Sequence, residues 1–311
     1  MFLGKNRKKI LIISLTLLAS FTCAAGTVTK GMKKVIDDAL DFSVKQSMSM
    51  FYEMKDQKGI LPRTAENGKM ITCESAWWTS GFYPGTLWYC YEYSNDPQIR
   101  AAAEEMTSRV EKQKYTTSNH DVGFIINCSF GNGYRLTHNE TYRKVIETAA
   151  KSLSTRFHPV TGCTRSWNSK KWQFSVIIDN MMNLELLNVA SSLTGDNTYY
   201  NMAKSHADRT MINHFRPDGS SYHVVSYDTI TGKVLNQVTH QGVNNQSSWS
   251  RGQAWGLYGY TSCYRESKDV QFLRQAENIA SLIMRRVKTE DAVPLWDYDA
   301  PDTPQTPRDA S

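Results

Sequence analysis

The amino-acid sequence predicts an all-α fold, a toroid built of helical hairpins, and three observations carry that prediction. Apolar residues recur at helical spacing over most of the chain beyond residue 25. Four of the helices so defined open on one pattern, a capping Asp or Asn with apolar residues at +3 and +7. These four alternate with helices of another character, rich in aromatics, Gly, Asn and Ser. An amphipathic helix needs one covered face and a mixed helix needs cover all round, so the alternation is the sequence form of outer and inner helices in an α/α toroid.

Taken in order, helices are expected over roughly 32–55, 78–94, 97–114, 121–135, 140–157, 176–194, 197–214, 250–266 and 269–287. The repeated opening is Asp96 with Ile99 and Ala103, Asn139 with Tyr142 and Ile146, Asp196 with Tyr199 and Ala203, and Asp269 with Phe272 and Ala276. The mixed helices begin around Gly81-Phe82-Tyr83-Pro84-Gly85, His120-Asp121-Val122-Gly123-Phe124, Ile177-Ile178-Asp179-Asn180-Met181-Met182-Asn183 and Trp249-Ser250-Arg251-Gly252-Gln253-Ala254-Trp255. Only residues 215–248 break this rhythm. There Ser221–Tyr227, the turn Thr231-Gly232-Lys233 and Val234–Val238 read as a small β-hairpin, near 221–240, inserted into one inter-helix connection.

Composition narrows the function. A chain of 311 residues with 40% hydrophobic and 11% aromatic content supports one large domain or two small ones and excludes a disordered or collagen-like polymer. Four of the six net positive charges belong to Lys5, Arg7, Lys8 and Lys9, so the remainder is no nucleic-acid footprint. That basic cluster runs into the apolar Ile10–Leu18 and then small residues through Gly26. Residues 1–25 therefore read as a secretory signal peptide too short to span a membrane, with export to the periplasm or the outside as the expectation and 26–311 as one domain. Cys23 offers lipid attachment as an alternative, against which Ser20-Phe21-Thr22 stands as a poor lipobox. The other five cysteines (Cys73, Cys90, Cys128, Cys163, Cys263) are scattered, without a C-x-x-C, which argues for buried free thiols rather than a disulfide framework or structural zinc.

The chemistry gathers near the N-terminal ends of the inner helices: Trp78, Asp121, Asp179, Trp249 and Arg251. In a toroid those ends share one rim, where unpaired N–H groups and helix dipoles favour an anion. An anionic ligand is therefore the first expectation, sharpened because Arg holds a carboxylate in a forked pair while Trp faces stack on sugar rings or other flat bodies. Asp121 and Asp179 are acid/base candidates because burial beside apolar neighbours raises a carboxyl pKa while the dipole lowers it; the alternative is that both simply cap their helices. His223 and Gln241 stand on the inserted segment, within reach of folding over the rim. His138, His158, His206 and His214 are assigned to the surface, and Trp77, Trp88 and Trp172 to packing. No phosphate loop, G-x-S-x-G or H-E-x-x-H occurs.

With Trp78-Thr79-Ser80-Gly81-Phe82, Pro84-Gly85, the Asp121 and Asp179 segments, Trp249–Gly256 and the closing Pro294–Pro301, the chain resembles the unsaturated glucuronyl hydrolases, glycoside hydrolase family 88. Trp-Ser-Arg-Gly-Gln-Ala-Trp at 249–255 is the most specific piece. The resemblance implies an (α/α)6 barrel acting on the oligosaccharides that polysaccharide lyases leave, in which the non-reducing uronate carries a C4=C5 double bond. It implies hydration of that vinyl ether rather than attack at the anomeric carbon, so the carboxylate-separation rule of ordinary glycosidases does not apply. By motif position Asp179 is the acid/base and Asp121 its assistant, with Trp78, Trp167, Trp249 and Trp255 as aromatic walls. Arg251 is placed near the uronate, and His223 and Gln241 near sugar hydroxyls. No metal or organic cofactor is implied.

The family's barrel has twelve helices and nine are expected here, so a barrel truncated at its C-terminal side is part of the expectation. A catalytically inactive sugar-binding remnant is the alternative from another class. Two further alternatives are an unsaturated rhamnogalacturonyl hydrolase acting on pectin products and, on His223, His240 and Cys263 alone, a zinc-dependent cyclase.

Overall fold

The computed structural model describes residues 28–307; the predicted signal segment lies outside them. The chain divides into two compact units, 1–41 and 42–311, and the division falls within the first helix, α1 (Lys30–Met54). Within the first unit, Lys33 pairs with Asp37 and Lys34 with Asp38 one turn apart.

In the second unit a hairpin of β1 (Ile60–Glu66) and β2 (Lys69–Glu74) precedes a 3₁₀ turn (Trp78–Gly81) and α2 (Phe82–Ser94). Next come α3 (Pro97–Ser108), a 3₁₀ turn at Glu111–Tyr115, and an inner helix made of α4 (Val122–Ile126), a π-turn (Asn127–Gly131) and α5 (Asn132–Thr137). The chain continues with α6 (Glu140–Ser154), the short β3 (Phe157–His158) and β4 (Cys163–Thr164), then β5 (Ser175–Ile177), α7 (Asn180–Thr194) and α8 (Asn197–Asn213). Strands β6 (Val224–Tyr227) and β7 (Val234–Val238) lead to α9 (Ser250–Ser267) and α10 (Val270–Arg286). With α4, the π-turn and α5 taken as one helix, all nine expected helices stand among the described residues. The architecture is the α/α barrel of helical hairpins. No helix among the described residues is long and apolar enough to cross a membrane.

The outer helices begin as their sequences require. Asp96, Asn139, Asp196 and Asp269 each accept a hydrogen bond from the backbone N–H two residues on, at 2.8, 2.9, 2.8 and 3.1 Å. Each cap is worth about 1 kcal/mol against Ala. The residue before each cap, Asn95, His138, Gly195 or Lys268, is left-handed and ends the preceding inner helix. The residue before that is Ser94, Thr137, Thr194 or Ser267, whose hydroxyl accepts from the N–H of the cap. One three-residue device thus turns every observed inner helix into its outer partner.

The main core fills the space between inner and outer helices with Ile125, Ile146, Leu153, Met181, Leu187 and Phe272, all at or below 2% exposure. Three expectations fail locally. Residues 60–74 form a hairpin, so 215–248 is not the only break in the helical rhythm. The expected helix from 176 begins at Asn180, because Ser175–Ile177 pairs antiparallel with β6 and makes the expected hairpin a three-stranded sheet. His206 and His214 are not on the surface but fully buried. His206 Nδ1 accepts from Thr164 N–H at 3.0 Å and His214 Nε2 donates to the Val176 carbonyl at 3.1 Å, so both tie α8 to the strands beneath the rim. The five cysteines in the described residues are free, three buried and two (Cys73, Cys128) half-buried.

Candidate active site

Asp121 and Asp179 stand immediately before α4 and α7, at the N-cap position and not inside the helices as expected. Neither carboxylate accepts a hydrogen bond from its helix's opening N–H groups. The contrast with the four outer caps is direct: those side chains close their helices and these two do not. Burial pushes the Asp179 carboxyl up to about 7, against the pull of the Arg251 cation and of its own backbone N–H, with Asp121 adding repulsion. The Trp255 indole N–H also pulls it down slightly, though it falls short of hydrogen-bond geometry. Burial likewise lifts Asp121 to about 6, opposed by the Arg156 cation. Two carboxyls with separated values suit one proton donor and one anion near neutral pH.

Each acid faces a buried imidazole. His223 Nε2 lies 3.6 Å from Asp179 Oδ2, and His120 Nε2 lies 3.4 Å from Asp121 Oδ1. Burial drives His223 well below its usual value and His120 down to about 3, so both rings are neutral. His223 Nδ1 accepts the backbone N–H groups of His240 (3.3 Å) and Gln241 (3.1 Å), which leaves the ring proton on Nε2, aimed at Asp179.

Aromatic contacts then run around the rim. Trp78 meets Phe124 at 5.7 Å, Phe124 meets Trp255 at 5.2 Å and His120 at 6.2 Å, and His120 meets Trp167 at 6.4 Å. From Trp167 the path continues through His240 (5.9 Å) and His223 (6.0 Å) to Trp249 (4.5 Å). Arg251 closes it, with its guanidinium 4.5 Å from the Trp249 ring and 5.3 Å from that of Trp78. Eight of the nine candidate side chains thus belong to one connected rim. Gln241 joins it through its backbone N–H, while its own side chain is exposed.

The closing motif holds the segment 239–249. Trp249 bridges Asp297 in the backbone, Ser250 N–H donates to the Trp296 carbonyl, and Tyr298 N–H to that of Ser248. The fully buried Asp297 carboxylate accepts from Val243 N–H (3.0 Å) and Ser247 Oγ (2.7 Å). His223 and His240 come together, whereas Cys263 packs in the main core, so the three residues of the zinc alternative do not converge. Among the described residues no group of three His, Cys, Asp or Glu side chains is placed to hold a metal.

Sequence reasoning missed Phe82, Phe124, His120, Asn183 and Arg156, and it offered His240 only for the zinc alternative. Phe124 and His120 lie within the Asp121 motif, so proximity alone was their signal. Arg156, just past the end of α6, has none: only the fold brings its guanidinium to the carbonyls of Thr117 and Arg165 near Asp121. A cavity of about 800 Å³ runs along the inner helices, lined by Phe82, which also touches Trp78, Phe124 and Trp255 of the rim, and by Asn127, Met182, Glu185 and Tyr258 among others.

A buried and a half-buried carboxylate beneath an aromatic and cationic rim, on an α/α barrel, place the chain among helical-barrel glycoside hydrolases. Residues 49–290 match the model of Glycosyl Hydrolase Family 88, and the chain belongs to that family. It is 46% identical over 238 residues to the unsaturated glucuronyl hydrolase of Formosa agariphila, covering 75% of this chain and 60% of the relative. It is 34% identical over 251 residues to the unsaturated glucuronyl hydrolase of Bacillus sp. strain GL1, covering 79% and 66%. A crystal structure of an unsaturated glucuronyl hydrolase specific for heparin superposes with a TM-score of 0.83 at 45% identity, over 88% of this chain and 75% of that one. The chain thus spans less than two thirds of the length of these two curated relatives.

Proposed function

We propose that the protein hydrolyses unsaturated glucuronyl oligosaccharides of the kind polysaccharide lyases release, with glycosaminoglycan fragments as the substrate class. The single observation that carries this is the pairing of a buried, uncapping Asp179 with Arg251 held between two indoles at the same helix ends. An acid that keeps its proton near neutral pH suits protonation of an enol-ether carbon, and an arginine between aromatic faces suits a flat uronate. The names of the relatives, one of them specific for heparin, support the uronide class.

In this reading Asp179 gives its proton to C4, and the positive charge develops at C5 and the ring oxygen. The resulting Asp179 carboxylate takes a proton from water as that water bonds to C5, which regenerates the acid. The hemiketal opens to a ketone at C5, and the hemiacetal left at C1 collapses to an aldehyde and releases the other sugar. The product is a 4-deoxy-5-keto-uronate. Asp121, the more acidic carboxyl, stays ionised, holds sugar hydroxyls and supports the charge that develops. Activity is then greatest between about pH 6, where Asp121 ionises, and about pH 7, where Asp179 loses its proton. Export also belongs to this proposal, supported by the basic and apolar pattern of residues 1–25.

The test is loss of the ultraviolet absorbance of the double bond when the protein meets lyase-generated unsaturated disaccharides. No loss on heparin-, chondroitin- or pectin-derived uronides refutes the function, and loss only on the pectin product moves it to the rhamnogalacturonyl alternative.

A further inference from the structure

We propose that Asn183 is a positioning residue: it fixes the tautomer of His120 and so sets a permanent hydrogen-bond donor against Asp121. The inference rests on the reading of Asp121 as part of the reacting site.

Asn183 lies one turn beyond Asp179 on α7 and is fully buried. Phe124 N–H donates to its side chain at 2.7 Å, and a backbone N–H only donates, so the accepting atom is the amide oxygen Oδ1. The other end of the same amide, Nδ2, then faces His120 Nδ1 at 3.3 Å. An amide nitrogen has no lone pair to offer, so His120 Nδ1 must accept. A neutral ring that accepts at Nδ1 carries its proton on Nε2, the nitrogen 3.4 Å from Asp121 Oδ1. The ring is neutral because burial outweighs the upward pull of the Asn180 side chain, which falls short of hydrogen-bond geometry, and the nearby Arg156 cation disfavours a second positive charge.

The surroundings are shaped for this amide. A Cβ on Gly123 would collide with Asn183, so glycine between Asp121 and Phe124 lets α4 close on α7 at the level of the Asn183 side chain. The two acidic motifs therefore form one unit, in which the Asp179 helix sets the hydrogen bonding of the Asp121 helix. The arrangement also parallels the other acid, where backbone N–H groups fix His223 in the same tautomer beside Asp179. Each carboxyl faces an Nε2–H whose direction is dictated from behind, one by loop backbone and one by Asn183. At 3.4 and 3.6 Å these N–H groups face the acids without closing a hydrogen bond; closing onto an ionised carboxylate would stabilise and orient it without adding charge.

The experiment is long-range ¹H–¹⁵N correlation on histidine-labelled protein, with His120 assigned by its loss in His120→Gln. The wild type is expected to show the Nε2–H tautomer. In Asn183→Asp the carboxylate accepts from both Phe124 N–H and the ring, so the His120 proton is expected on Nδ1. For turnover of an unsaturated disaccharide, kcat is expected to fall about 10- to 100-fold, with KM changed less than about threefold, as for other residues that orient a reacting group. An Nδ1–H tautomer in the wild type overturns the proposal, and that measurement does not need Asn183→Asp to fold. A folded Asn183→Asp with an unchanged tautomer, or with a switched tautomer and unchanged kcat, also overturns it. Absence of any turnover by the wild type overturns the proposed function instead, and the tautomer measurement tells the two failures apart.

Discussion

Replacing Asp179 by Asn is expected to abolish turnover and, against the usual cost of changing a buried residue, to stabilise the fold at alkaline pH. A carboxyl whose folded-state pKa lies above its unfolded value binds its proton more tightly in the folded chain. Its contribution to stability is then complete below about pH 3.8 and is lost as pH rises through about 7. The shift is about 3 units at 1.36 kcal/mol each, or roughly 4 kcal/mol between the two limits. The side chain is only 10% exposed, so solvent screening removes little of this. Asn is nearly isosteric, does not ionise, and sacrifices no helix cap because the Asp179 carboxylate makes none.

Thermal unfolding of the two proteins at constant ionic strength, from pH 4 to pH 8.5, reads the effect. The melting temperatures should nearly coincide at pH 4 and separate through pH 5–7, with the variant higher. At roughly 2–4 °C per kcal/mol for a domain of this size, the gap above pH 8 is on the order of 10 °C. Neutralising Asp179 also removes its repulsion of Asp121, which acts in the same direction. A gap that does not change with pH, or a variant less stable at pH 8, would refute the claim that burial holds this carboxyl protonated. The acid role would lose its physical basis with it.

Arg251→Lys keeps the charge but loses the planar fork and its contact with two indoles. It is expected to raise KM for an unsaturated disaccharide about 10- to 100-fold with a smaller effect on kcat, measured by steady-state kinetics. Asp297→Ala leaves the N–H groups of Val243 and Asp299 without their acceptor and leaves the Ser247 hydroxyl only the Asn244 carbonyl. It is expected to cost about 1–3 kcal/mol in denaturant unfolding and to speed hydrogen exchange in 239–249 before it affects the outer helices.

What the sequence revealed and what it hid divide by the range of the interactions involved. The outer caps were legible because Asp96, Asn139, Asp196 and Asp269 satisfy N–H groups two residues away. The turn before each cap was overlooked because three of its four left-handed residues are Asn95, His138 and Lys268 rather than glycine. The 60–74 hairpin did leave a mark, Asn67-Gly68, both with positive φ, but Pro62 and the irregular alternation around it masked the strands. Strand Ser175–Ile177 lies in an apolar run that reads equally as helix, and only its partner, 47 to 51 residues later, decides the matter. The burial of His206 and His214 follows from Thr164 and Val176, which lie 42 and 38 residues away, beyond any local pattern. At the site the residue types and helix ends were readable. The imidazole tautomers and the Arg156 cation were not, since they depend on which segments the fold brings behind each acid.

The position of the acids raises a conflict that the geometry resolves. A helix start stabilises negative charge by about 0.3–1 kcal/mol, reaching about 2 in partly buried sites, which should keep Asp179 ionised. Burial moves it the other way by roughly 4 kcal/mol, so desolvation wins. Because neither carboxylate bonds the opening N–H groups of α4 or α7, the positive potential of those helix ends is not quenched by a cap. It remains available, together with Arg251, for the carboxylate of a bound uronate. An ionised Asp179 would repel that ligand, whereas a protonated one does not. The burial that makes Asp179 a proton donor is thus also what lets an anion approach it, and an incoming anion strengthens its hold on the proton.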